Sequence, residues 1–155
     1  MCIRDRWPQD TEARTWARCA TSEMHAGYSA LRNECPMNCG LRVGLNSISA
    51  ALRQNLERLD ELWNEGLNQF GGPYLAGETF TAVDAFYAPV AFRIQTYDLK
   101  LGATAMAYVQ RILKLEAMRE WYQAGLAETW RETEHDREAY AAGRLIADLR
   151  VPVTG

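Results

Sequence analysis

Leu45, Ile48, Leu52, Leu56, Leu59, Trp63, Leu67 and Phe70 recur at steps of three and four, and Gly71-Gly72-Pro73 ends the series. An apolar stripe held at the helical period for about seven turns predicts one long amphipathic helix. Glycine and proline then stop it, because glycine accepts the left-handed exit conformation and proline cannot continue a helix. The rest of the chain has to pack around that rod. Upstream, Asp10 is a good N-cap and Glu12 lies in a first turn, where a negative charge complements the helix dipole. Ala13, Trp16, Ala20, Met24, Gly27 and Leu31 mark a second stripe. The spacing predicts a first helix over Thr11–Cys35, closed by Pro36, since the residue before proline is pushed out of helical geometry. Two long helices joined by about ten residues that include Pro36 and Gly40 predict an antiparallel hairpin.

A third helix is predicted after Gly77. Thr81 and Asp84 have the spacing of a capping box, in which each side chain satisfies the other residue's backbone N–H. Val83, Phe86, Val90, Ile94 and Tyr97 then form an apolar face. Pro89 inside that run removes one backbone donor, which predicts a kink rather than a break because the pattern resumes beyond it. Two shorter helices are expected over 103–113 and 115–128, the latter with Leu115, Met118, Trp121, Tyr122 and Leu126 inward. A weaker helix is expected over 136–149, interrupted in propensity by Gly143. No segment shows sustained strand alternation. The fold class is therefore all-α: a helical bundle on a long antiparallel hairpin, with a buried, capped helix at its centre.

Composition narrows the function. The chain has 155 residues, 48% hydrophobic and 24% charged, which is enough for one globular domain with a real core. Its net charge of −3 disfavours nucleic-acid binding. The longest uncharged apolar run, Ala85–Phe92, is too short to cross a bilayer, so no membrane association is expected. Cys2, Cys19, Cys35 and Cys39 form neither Cys-x-x-Cys nor a zinc-finger spacing, and only His25 and His135 add imidazole. No metal site is expected, and the thiols read as reduced cysteines of a cytoplasmic protein. Met1–Arg6 reads as a leader foreign to the fold, with residues 7–131 as the main domain and 132–155 as an extension.

The segment Tyr74-Leu75-Ala76-Gly77-Glu78-Thr79-Phe80-Thr81-Ala82-Val83-Asp84-Ala85-Phe86 resembles the signature of the glutathione S-transferase C-terminal domain: an aromatic-Leu-x-Gly loop leading into a capping box that opens a buried helix. The long helix ending in Gly-Gly-Pro is similar to that family as well. So are Ala88-Pro89-Val90-Ala91-Phe92-Arg93 with Thr96-Tyr97, and Trp7-Pro8-Gln9-Asp10 with Arg14, Ala17 and Arg18. Glu23-Met24-His25-Ala26-Gly27-Tyr28 with Leu31-Arg32 and Pro36-Met37-Asn38 resembles a bacterial subgroup. One departure is the small Ala85 opposite Phe80, which predicts a weak hydrophobic staple around the cap.

The resemblance implies a larger enzyme. Family members carry an N-terminal thioredoxin-like domain that holds most of the glutathione site, and no such βαβ pattern occurs in this sequence. Glutathione is then the co-substrate of the full-length protein and is not expected to bind this chain tightly. A small electrophile is the second substrate, and a homodimer is the expected assembly. No catalytic residue is expected here. The resemblance assigns part of the electrophile pocket to the first helix, where Ala17, Thr21, His25, Tyr28 and Arg32 share a stripe. His25, Tyr28 and Arg32 are therefore the candidate substrate-binding residues, suited to a partly polar or anionic ligand. The alternatives are a solvent-facing histidine, a packing tyrosine and an ion-paired arginine. Thr81 and Asp84 are structural. The competing reading for the whole chain is a stand-alone interaction scaffold of the same fold without catalysis.

Overall fold

The computed structural model describes residues 6–152, so most of the predicted leader lies outside the described residues. Seven helices and one two-stranded ribbon occur among them, in the order α1 (Thr11–Ala26), α2 (Ser29–Glu34), β1 (Leu41–Leu45), α3 (Ala50–Gln69), α4 (Ala82–Tyr97), α5 (Ala103–Lys114), α6 (Glu116–Ala127), α7 (Thr133–Ala142) and β2 (Gly143–Asp148). The all-helical architecture follows the sequence reading, with α4 at its centre. Ten of the sixteen residues of α4 are buried, from Val83 to Tyr97. α1, α5 and β1 pack against it, and Trp63 of α3 and Trp121 of α6 reach it with their rings, so its sequence is apolar on nearly all sides, as a surrounded helix requires. Phe86 is the exception: it is exposed where an inward position was expected, and Tyr87 occupies the core instead.

α1 and α3 form the predicted hairpin. Asp10 caps α1 by accepting from Ala13 N–H at 2.8 Å, and Ser49 caps α3 by accepting from Leu52 N–H at 3.0 Å. At the far end of α3, Gly71 takes the left-handed conformation (φ 63°) and Gly72 N–H returns to the Leu67 carbonyl at 3.2 Å. α4 continues as an α-helix through Pro89.

Three expectations are corrected. The first helix does not run to Cys35. It ends at Ala26, where Gly27 N–H closes on the Glu23 carbonyl at 2.7 Å, and Tyr28 turns the chain with a left-handed φ of 54° before α2 begins. Leu45 and Ile48 continue the α3 stripe in phase but lie outside the helix, in β1 and in the following turn. The third correction concerns strands. β1 pairs antiparallel with β2, with an irregularity between Arg42 and Val43, and the expected helix over 136–149 switches to strand at Gly143.

The C-terminal segment is clasped to the bundle. The Arg150 side chain, 9% exposed, donates to both oxygens of Asp136 at 2.7 and 2.8 Å and to Asp148 at 2.9 and 2.8 Å. Asp136 in turn accepts from Asn38 at 3.1 Å. Among the described residues no helix is long and apolar enough to cross a membrane, and no group of three or more His, Cys, Asp or Glu side chains could hold a metal ion. Cys19, Cys35 and Cys39 are free thiols. Burial pushes the Cys35 thiol up to about 12, which keeps it protonated and unreactive at neutral pH.

Candidate functional site

The capped end of α4 is where the sequence concentrates its unusual chemistry. Asp84 is fully buried, yet its carboxylate is surrounded by donors. Oδ2 accepts from Thr81 N–H at 2.8 Å and from the Thr81 hydroxyl at 3.2 Å, closing the predicted capping box. Oδ1 accepts from Leu75 N–H and from the Tyr108 hydroxyl, both at 3.0 Å. Burial pushes the Asp84 carboxyl up from its ordinary pKa, while these four hydrogen bonds pull it back. One side chain therefore ties the 74–77 turn, the start of α4 and the middle of α5 together. Tyr108 extends the node into an aromatic cluster, packing edge-to-face on Trp63, which does the same on Tyr87.

Beside this node lies an open apolar groove of about 600 Å³, lined by Phe80, Ala85, Ala88, Pro89, Met118 and Trp121 among others. Phe80, Phe86 and Trp121 are 43%, 46% and 48% exposed. Two large aromatic residues of one groove, Phe80 and Trp121, left half in water are uncommon on a self-sufficient domain. Phe80's ring packs edge-to-face on Tyr74 at 5.9 Å, and Phe80 and Ala85 both border the groove. Pro89 has no N–H to give to the Ala85 carbonyl, so the groove also contains a backbone acceptor without its helical donor. A second cleft, of about 580 Å³, sits at the opposite end between the ribbon, the start of α3 and the 98–102 turn. Several of its polar groups are already matched: Asp60 accepts from Gly102 N–H at 2.8 Å and Lys100 pairs with Asp98.

The three predicted substrate-contact residues do not share a helix face, because the helix breaks between them. His25 is exposed in the last turn of α1 and has no hydrogen-bond partner among the described residues. Tyr28 is buried in the corner, its ring edge-on to Tyr87 at 6.5 Å and its hydroxyl donating to Glu23 at 3.2 Å. Burial, followed by the Glu23 charge, raises its pKa. Arg32 is half-buried and donates to the Met24 carbonyl at 3.0 Å, satisfying an end of α1. Ala17 and Thr21, the other members of the stripe, are in the core.

Glu23 was not singled out by the sequence, yet it organises this corner. It accepts from Arg58 Nε at 2.7 Å and Nη2 at 2.9 Å as well as from Tyr28, linking α1 to α3. The Arg58 hydrogen bonds hold its carboxyl below the usual range against the cost of burial. The sign follows: a depressed folded pKa stabilises above the unfolded value and the gain is lost as pH falls through the folded one. Wild type is therefore expected to out-melt Glu23→Gln at neutral pH, with the gap closing below about pH 4. Thermal unfolding of both proteins across pH checks this. The side chains are a third or more exposed, so solvent screens the effect and it stays small.

The family profile described as glutathione S-transferase, C-terminal domain, matches residues 46–124, just over half of the chain. The chain belongs to that family. The match spans α3, α4 and α5 and all but the last residues of α6, so the capping box, the Asp84 node and the groove all lie within this glutathione S-transferase C-terminal domain. α1, α2 and the ribbon lie outside it. No curated protein matches the chain.

Proposed function

We propose that this glutathione S-transferase C-terminal domain is the substrate-pocket half of an enzyme that joins glutathione to a small electrophile, or isomerises or reduces one through a glutathione adduct. A thioredoxin-like domain before Trp7 would bind glutathione and supply the group that acts on its sulfur. That group lowers the thiol pKa by hydrogen bonding to the thiolate, which makes the nucleophile plentiful near neutral pH. The helical half supplies an apolar wall and excludes water from the reacting sulfur.

The observation that supports this reading is where the polypeptide enters. The first turns of α1 lie beside the last turns of α3: Trp16 donates to Glu65 at 2.9 Å and packs on Phe70 at 5.5 Å, and Gln69 donates to Glu12 at 2.7 Å. The next residues of the chain after α3 form the turn that meets Asp84. The N-terminal segment and the 71–80 loop therefore share one end of the bundle, the end at which Phe80 borders the exposed groove. In this reading His25, unpartnered on the outside of α1, contacts the electrophile, while Tyr28 and Arg32 set the shape of the corner. Activity would be cytoplasmic and the full-length protein a homodimer.

Two experiments test it. The longer protein, expressed from sequence extended upstream of this frame, is expected to show glutathione-dependent turnover over a panel of electrophiles; none over a broad panel would reject the enzyme and leave the scaffold. The 155-residue chain alone is expected to self-associate through the groove, and Phe80→Ser with Trp121→Ser to restore a monomer. Light scattering that finds wild type monomeric at high concentration would show that the groove needs no cover.

A further inference from the structure

A third cavity, of about 400 Å³, lies where the end of α6 and the start of α7 meet the 37–40 loop and Arg150. Trp121 and Trp130 both line it, and they are 48% and 68% exposed. Trp130 is the most exposed large hydrophobic side chain among the described residues. Its backbone is nevertheless held from both sides. Its N–H donates to Glu128 Oε1 at 3.2 Å, and its carbonyl accepts from Arg131 at 3.2 Å. Arg131 also donates to the Glu128 carbonyl and, at 2.6 Å, to the Val151 carbonyl, while Val151 N–H returns to the Leu126 carbonyl at 2.8 Å. The 128–131 loop is thus tied to α6 and to the C-terminal segment, and the indole stands in water on a fixed support.

The charges of the same cavity are unbalanced. Three carboxylates, of Glu128, Glu132 and Asp136, line it against two guanidiniums, of Arg131 and Arg150. Both guanidiniums are committed: Arg150 to Asp136 and Asp148, and Arg131 to backbone carbonyls. Neither Glu128 nor Glu132 belongs to an ion pair among the described residues. The other ionisable groups of the lining are the exposed His135 and the Cys39 thiol, which burial keeps protonated. No cation of the chain covers either indole: the cation–π contact among the described residues is Arg18 over Trp7, at 5.6 Å. Two open indoles and unpaired carboxylates therefore share one cavity.

We propose that this cavity binds a small organic ammonium ion of the methylated-amine class, seated against Trp121 and Trp130 with Glu132 as its counter-charge. The π-system of an indole attracts such a cation more strongly than the other aromatic rings do, and methyl groups give the cation apolar surface to lay on it. A bare metal ion needs several oxygen or nitrogen ligands together, and no such group occurs among the described residues. A neutral ligand would use the rings but leave the carboxylates unmatched. Every lining residue except Trp121 falls outside the 46–124 segment that carries the family match, so the site does not depend on the glutathione reading.

The test uses the 155-residue protein at constant ionic strength, with sodium chloride replaced stepwise by choline chloride. The indole Nε1–H resonances are followed by NMR. Trp130 lines this cavity and not the groove, so its resonance reports binding apart from any self-association. The expected result is a saturable shift of the Trp130 and Trp121 resonances at millimolar choline. The uncharged alcohol in which carbon replaces the choline nitrogen is the control, and it is expected to give no saturable shift over the same range. Trp130→Ala, read at Trp121, is expected to weaken choline binding about fivefold, the worth of one partly exposed cation–π contact. Glu132→Gln is expected to weaken it about twofold, as for an exposed charge pair. Both side chains are exposed, so both variants are expected to keep the wild-type unfolding midpoint. No saturable shift with choline would overturn the proposal. So would an equal response to choline and the alcohol, which would leave an apolar pocket indifferent to charge, or an unchanged choline affinity in Trp130→Ala.

Discussion

Asp84→Ala is expected to cost at least about 3 kcal/mol, and it is the substitution from which the fold has least protection. Each buried donor left without its acceptor costs about 1–3 kcal/mol. Here two backbone N–H groups, from Leu75 and Thr81, and the Tyr108 hydroxyl all lose their acceptor at once. For a domain of this size that corresponds to a fall in melting temperature of roughly 10 °C. Asp84→Asn is the more informative variant. The two hydroxyls can rotate, but the backbone donors are fixed, and one aims at each carboxylate oxygen. An amide NH2 placed at either position therefore meets an N–H head on, and asparagine is expected to recover only part of the loss. The pH dependence separates this node from the Glu23 pair. Burial raises the Asp84 pKa, so its contribution is fullest below the unfolded carboxylate value and falls as pH rises through the folded one. The gap between wild type and Asp84→Asn should thus widen, not close, in acid. Thermal unfolding from pH 3 to 7 measures both. A neutral Asp84→Asn variant would mean that the capping residue does not organise the domain.

The parts of this fold legible in the sequence are those set by neighbours a few residues apart. The stripe from Leu52 to Leu67, the cap at Asp10, and the Thr81–Asp84 box all depend on helical spacing alone. The break at Gly27 was hidden because its stripe stays in phase through Leu31, and only the left-handed turn at Tyr28, held by Glu23 and Tyr87, shows that α1 has ended. Leu45 and Ile48 misled for the same reason: they keep the α3 period by coincidence. β1 became a strand through a partner about a hundred residues away, and five residues containing a glycine carry too little alternation to announce it. Gly143 marked the change from α7 to β2 only as a weak point in a helix.

The candidate site divides along the same line. Thr81 and Asp84 stand where spacing put them, and Tyr108, the third corner of their node, could not be found from sequence because α5 reaches Asp84 only in the folded bundle. The groove is assembled from the 71–80 loop, one side of α4 and the start of α6. On a helix buried nearly all round, nothing local distinguishes the exposed Phe86 from the enclosed Tyr87. The stripe containing His25, Tyr28 and Arg32 was geometrically sound for a continuous helix; breaking that helix turned two of its members to internal work and left His25 outside.

Gly66→Ala is expected to destabilise by about 2–3 kcal/mol, although the same change at an ordinary position in a helix gains close to 1 kcal/mol. A Cβ at residue 66 would stand 2.4 Å from the Leu75 carbonyl oxygen and 2.4 Å from the edge of the Trp16 ring. The ring can pivot, since Trp16 is only half-buried. The carbonyl cannot, because the same residue's N–H is bonded to Asp84 and its side chain is fully buried. The glycine therefore permits the 74–77 turn to lie flat on α3, and that contact sets how the turn presents Leu75 to the carboxylate. It follows that Gly66→Ala and Asp84→Asn damage one connection. Their costs should be sub-additive in a double-mutant cycle, by more than the few tenths of a kcal/mol expected of independent sites. Full additivity in denaturant unfolding would place the strain in Trp16 alone, and a stabilised Gly66→Ala would mean that the turn lies farther from α3 than these distances require.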